Sequence, residues 1–423
     1  MNRTRTFIST LALFCLLAAC ATRTPSRTTV SLTVAPPSTG GSARASAAGT
    51  GETRPDASPP AAQAWPSELF LARPDGATGP LLAYDMANGL QRFNFPAGLM
   101  SATGDTFYSA DITGDKTTVL AYIPQTGALT QGMPFDGKWQ LSAVSRTGRW
   151  LALTRLSDKS VPTEIMVVDS QSGKPAHQMS LDGNFQVDAL SSRGDALFLI
   201  EYLPAVNPDH YQIRLYDLAA EKLQDGGLVD KRAADEVMAG EPQMALVSRD
   251  GHWHLTLYLR PKEHTAFIHA LSLDDRFTFC IDLPSGAGDM EKLRAYTLAL
   301  APDDTTVYAT NPAIGFVAKV SLNDLSVTNV AKFDPASAAL QTPSRSLVSA
   351  DGKELFFASG AQLWTYDIRA NAMTSFTTAA PVASLGLSND AQRLYTLAPD
   401  QTLQVLDPAT GAALSFPTMA TSQ

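Results

Sequence analysis

"SRDGHWHLTLYLR", residues 248–260, is the stretch on which the fold turns. Ser248, Asp250 and Gly251 form a tight turn: Ser and Asp side chains tie down nearby amides, and Gly supplies φ > 0. The apolar run that follows is short and rich in strand formers, so it reads as a strand leaving a hairpin.

The same stretch recurs along the chain. Copies are "SRTGRWLALTR" (145–155), "SSRGDALFLIEY" (191–202), "SADGKELFFAS" (349–359) and "LSNDAQRLYTLA" (387–398), with weaker ones in "SATGDTFYSAD" (101–111) and "LAPDDTTVYAT" (300–310). A second element follows: "LLAYDMANGL" (81–90), "IMVVDSQSGK" (165–174), "IRLYDLAAEK" (213–222), "LWTYDIRANA" (363–372) and "LQVLDPATGA" (403–412). Each is an apolar strand ending in Asp before a tight turn. Asp85, Asp169, Asp217, Asp367 and Asp407 fall in register, where a carboxylate accepts from amides two residues on. Once per repeat, such aspartates lie far apart in a radial array, so they read as turn residues and not as an active site.

Each unit is therefore a short inner strand, a hairpin turn, a second strand, a third ending in Asp, and an outer fourth. Four-stranded units at this period describe blades of a β-propeller. The "S-x-D-G … YD-x-x-x-G" beat resembles the YVTN and WD-like repeats of bacterial exported propellers across essentially all of 66–423. The expected fold is all-β, a propeller of seven or eight four-stranded blades. Seven hairpin turns fall near 103, 147, 193, 250, 303, 351 and 389, and residues 68–97 add three strands without an inner one, which favours eight. "TTVSLTV" (28–34) alternates like a strand and is a candidate for that missing inner strand.

The N-terminus sets the compartment. Arg3 and Arg5 precede "FISTLALFCLLAA", an uncharged run too short to span a bilayer, which needs about 20 helical residues. This is the pattern of a secretory signal. Leu17-Ala18-Ala19-Cys20 resembles the lipobox of bacterial lipoproteins, which implies cleavage before Cys20, acylation of that cysteine and a lipid anchor in a bacterial membrane, facing the periplasm or exterior. Residues 1–19 are then the signal peptide. Residues 20–65, built mainly of Ala, Thr, Ser, Pro, Gly and Arg, read as a disordered tether of about 35–40 Å mean reach. With Cys15 removed and Cys20 acylated, Cys280 in "RFTFCIDL" stands alone, with no disulfide framework, and reads as a small core residue.

Net charge is −9, and basic residues are scattered without aromatic interleaving, against nucleic acid as a partner. The sequence has no G-x-S-x-G elbow, H-E-x-x-H, P-loop or C-x-x-C-H haem motif, and no cofactor is expected. The chain is expected to be a monomer and a binding or scaffold module for a protein or small ligand. Candidate ligand contacts near the inner strands are Trp139, Arg294, Tyr296 and Arg345. His254 and His269 are weak metal candidates, expected opposite each other if the hairpin turns through Arg260–Glu263. Resemblance to lactonases and to quinoprotein amine dehydrogenase chains implies the alternative, an enzyme with its site in the central channel. Residues 219–243 exceed the repeat; "DKRAADEVMAG" within them has helix-forming composition.

Overall fold

The turn at Ser248 closes through its own polar atoms. Ser248 Oγ accepts from the Trp253 amide (2.8 Å) and donates to Asp250 (2.5 Å), whose carboxylate takes the His252 amide (2.9 Å). Gly251, at φ +75°, donates its N–H to the Ser248 carbonyl (2.9 Å). The same short contact recurs at 101/104, 145/148, 191/194, 301/304, 349/352 and 388/391. The Asp turns close as expected. Asp85, Asp169 and Asp367 each take the amide two residues on at 2.9–3.0 Å, and Asp217 takes that of Ala220 at 2.9 Å.

These hairpins build eight antiparallel sheets in a propeller ring, in a computed structural model that describes residues 65–417 apart from 66, 75–78, 158–160, 229–237, 287–288 and 336–344. The inner strands of blades two to eight are Gly98–Met100, Trp139–Val144, Asn184–Leu190, Glu241–Val247, Thr297–Leu300, Arg345–Val348 and Ser384–Leu387. Blade one has Leu69–Ala72, Leu81–Asp85 and Leu90–Phe95. Its first strand holds the second-strand position: the Met86 amide donates to Glu68 O (2.9 Å), as Ser170 does to Arg149 O (2.8 Å) in blade three. Blade one thus starts without an inner strand among the described residues, as the repeat count implies; 28–34 lies outside them. Blade eight ends in an isolated bridge, Leu406 to Ala413, where its outer strand belongs.

Period-2 alternation packs the seams between blades. In blade five, Leu255, Leu257 and Leu259 face blade six with Leu298, Val307 and Ala318. The alternate residues face blade four, where Tyr258 and Phe267 meet Tyr211 and Ile213. Burying each such leucine contributes about 1.5–3 kcal/mol.

The ring has two unlike faces. Inner strands run from one face to the other, so every Ser-led hairpin and every Asp turn lies on a turn face. The described ends of the longer connections, among them 156–157, 224–228, 284–286 and 333–335, lie on the opposite, strand-start face. The helix expected from "DKRAADEVMAG" lies outside the described residues except for Met238–Gly240, and there Met238 O accepts from the Tyr211 amide (2.9 Å) in a bridge to blade four. Among the described residues helix is confined to one turn, Met290–Leu293, capped by Asp289. Cys280, expected in the core, is half-buried on the outer strand of blade five.

Candidate functional site

Four candidate contacts stand at the strand-start face, each engaged locally. Trp139 is 2% exposed. Its indole donates to Asp136 O (2.7 Å), and Arg155 lies over its ring at 5.6 Å. Tyr296 is also buried, its hydroxyl donating to Pro284 O and held protonated by burial well above the usual tyrosine range. Arg345 donates Nε to Ala383 O (2.8 Å), and burial lowers its pKa. Arg294, just past the helical turn, is the exposed member; its Nη2 meets Glu241 Oε2 at 2.9 Å. The four share one face but belong to three different blade seams.

At the other end of the channel, blades two to five enclose a small, open-mouthed cleft. Its walls are small and apolar: Ala102, Ala143, Ala189, Ala245 and Val247 among them. Its polar lining is Arg146, Asp188 and His254. Arg146 belongs to the hairpin turn of blade three and reaches past blade four, where its Nε donates to Arg249 O (2.5 Å) in the turn of blade five. Gly251 makes this crossing possible: a Cβ there would stand 2.5 Å from Arg146 Cδ and 2.6 Å from Ser192 Oγ.

Asp188 owes its direction to a bulge. Blade four's inner strand pairs Val187 with Leu199 and Ala189 with Phe198, so Asp188 is the extra residue. A bulge re-aims the side chain it carries. Asp188 Oδ2 stands 3.4 Å from His254 Nδ1, and both side chains are at most 5% exposed.

The histidine register differs from the expected one. Arg260 pairs with Thr265, so the hairpin turns through Pro261–His264, His254 pairs with Leu271, and His269 pairs with Thr256 and Cys280. The two imidazoles are diagonal neighbours on one face rather than opposite partners, about 7–8 Å apart for such positions. The sequence placed no carboxylate on that face; the one that meets His254 comes from the neighbouring blade. Its only local signal was an aspartate inside the apolar strand "NFQVDAL". Among the described residues no three His, Cys, Asp or Glu side chains stand together as a metal site.

Deeper in the same seam, Tyr258 stacks between Tyr211 and Phe267, at 5.5 and 5.3 Å. Burial raises the pKa of both tyrosines, so they are neutral hydroxyls here.

No protein-family model matches the chain, and neither does any curated protein. Among solved structures it is similar to the dihydro-heme d1 dehydrogenase NirN in complex with DHE, at 14% identity, over 85% of this chain and 74% of that one, with a TM-score of 0.51. Hydrazine synthase from Kuenenia stuttgartiensis follows at 13% identity, 73% and 94% coverage and a TM-score of 0.42. TolB from Acinetobacter baumannii gives 13% identity, 60% of each chain and a TM-score of 0.36. At such identities the likeness is one of fold: a WD-like propeller.

Proposed function

We propose that this chain is an exported lipoprotein, anchored through acylated Cys20, whose propeller binds a protein or small ligand at its strand-start face. The anchor rests on the lipobox-like Leu17-Ala18-Ala19-Cys20 after a charged head and short apolar run. The observation that carries the binding reading is the contrast between the faces. Uniform tight turns close one face, whereas the other carries the described ends of the longer connections and the exposed Arg294–Glu241 pair. Varied loops on a rigid scaffold are where recognition concentrates.

Two measurements test it. Cys20→Ala should abolish labelling by a palmitate analogue and move the protein out of the membrane fraction; a parent chain that takes up no label would end the anchor reading. A photo-crosslinking residue at position 294 should trap a partner in living cells, while one at position 351 on the turn face should not. Equal trapping from both positions, or none from 294, would refute the choice of face.

A further inference from the structure

We infer that the cleft between blades two and five is a binding site for a small monocarboxylate, with Arg146 as the carboxylate anchor and the Asp188–His254 pair as the polar floor. This site lies at the opposite end of the channel from the proposed partner face, so either can fail without the other.

Three observations converge on it. First, His254 is 2% exposed, yet its Nδ1 makes no hydrogen bond: Asp188 Oδ2, at 3.4 Å, is within ion-pair range but outside hydrogen-bond geometry. A buried imidazole with unmet hydrogen-bonding capacity is costly unless a ligand or water completes it. His254 and Asp188 both line the cleft. A carboxylate behind an imidazole holds its ring in place.

Second, Arg146 is held across the mouth by its Nε, which is engaged with Arg249 O. The terminal nitrogens remain as the fork that suits a carboxylate in a bidentate pair. The single carboxylate in the cleft lining, Asp188, is turned to His254 on the seam side, so the mouth presents positive charge to an incoming anion.

Third, the walls between these two groups are apolar and small. Four alanines, with Leu99, Val144 and Val247, leave room for a short hydrocarbon body and offer it no polar partner. An anion lacking that body, such as inorganic phosphate, would leave this apolar surface wet. A long fatty acid would overrun the space. The chemistry that fits is an acid of a few carbons, its carboxylate under Arg146 and its far end, or a hydroxyl on it, against His254.

The test follows the His254 ring signals by NMR on the full chain in detergent, assigned with His254→Gln. Butyrate should shift them saturably, and butanamide, its neutral isostere, should not. Arg146→Lys keeps the charge and loses the fork; Arg146→Met loses both. Affinity for butyrate should fall in that order, by about tenfold or more for the second, the weight of a charge-assisted pair. Asp188→Asn should weaken butyrate binding, because the His254 ring loses the carboxylate that holds it in place. If butyrate leaves the His254 signals unmoved, if butanamide shifts them equally, or if Arg146→Met binds butyrate as tightly as the parent, the inference is overturned. The parent titration decides even if a variant fails to fold.

Discussion

The turn face and the strand-start face come from the same repeats but are held by different physics. On the turn face each hairpin satisfies its own amides with Ser and Asp side chains a few residues away, and neighbouring blades are then stitched over it. Tyr108 donates to Gly148 O (2.8 Å), Asp304 takes the Arg249 amide (3.1 Å), and Arg276 meets Asp195 at 3.2 Å. On the strand-start face the connections vary in length and chemistry, and the contacts there are particular to each seam. One face is a fastening repeated around the ring; the other is where blades are free to differ. The comparison predicts that stability is concentrated on the turn face.

The largest effect is expected where the ring closes. Among the described residues blade one has no inner strand and shares no sheet with blade eight, and side chains join the two. Glu68 does this on the turn face. It takes the Asn389 amide (3.0 Å), the Tyr395 hydroxyl and Arg393 Nη2 (3.4 Å), while Arg393 also lies over the Trp65 ring at 5.2 Å. The Glu68 and Arg393 side chains are only 6% and 9% exposed. Removing Glu68 leaves the Tyr395 hydroxyl and the Asn389 amide without their acceptor and leaves Arg393 only the half-exposed Asp390, at 3.0 Å, so a buried charge loses its buried partner. Glu68→Ala should therefore cost about 3–5 kcal/mol in denaturant unfolding, and Glu68→Gln distinctly less. A loss below about 1 kcal/mol for Glu68→Ala would mean that the apolar contacts of Phe70, Tyr395 and Trp65 close the ring by themselves.

How much of this could be read in advance follows from the range of each interaction. Ser248, Asp250 and Gly251 act on amides within five residues, so their pattern is written locally and repeats; it yielded the all-β class, the strand order and the choice of eight blades. The Glu68–Arg393 pair joins positions 325 apart, and nothing local marks either residue. Asp188 and His254 come from different blades, and their meeting depends on a bulge that shifts one strand by a residue. Trp139 and Tyr296 sit where the inner strands begin, as read, but their polar atoms serve the backbone. Sequence periodicity locates a position on a strand; it does not say which side chains the next blade brings to it.

A smaller effect is expected from a single turn on the same face. Ser248 Oγ accepts the Trp253 amide and donates to Asp250. Ser248→Ala leaves that amide buried without its acceptor, which should cost about 1–3 kcal/mol. The matching change on the strand-start face is Arg294→Ala, which breaks an ion pair whose members are 40% and 50% exposed. An exposed pair contributes about 0–1 kcal/mol. If the two variants melt alike, the faces do not differ in stability and the comparison fails.

The smallest effect is expected in the insertion of blade four, provided the cut is placed correctly. The repeat pattern treats residues 224–239 as one dispensable loop. The structure divides them. The Leu228 amide donates to Ile213 O (2.7 Å), and Met238 O accepts from Tyr211 N (2.9 Å), so both flanks lie along the third strand of a blade whose own outer strand is only Lys222–Leu223. Leu228 and Met238 also pack on the Tyr211–Tyr258 cluster. Replacing 229–237 with Gly/Ser of equal length keeps both anchors and the loop length, so the closure entropy is unchanged, and unfolding free energy should move by less than about 1 kcal/mol. Extending the replacement through 224–239 removes two side chains from that cluster and should cost about 2–4 kcal/mol. Denaturant melts of the two replacements side by side make the measurement. Equal, small losses would show that blade four closes without these flanks. Equal, large losses would show that residues 229–237 themselves hold blade four to its neighbour, so that stability is not confined to the turn face.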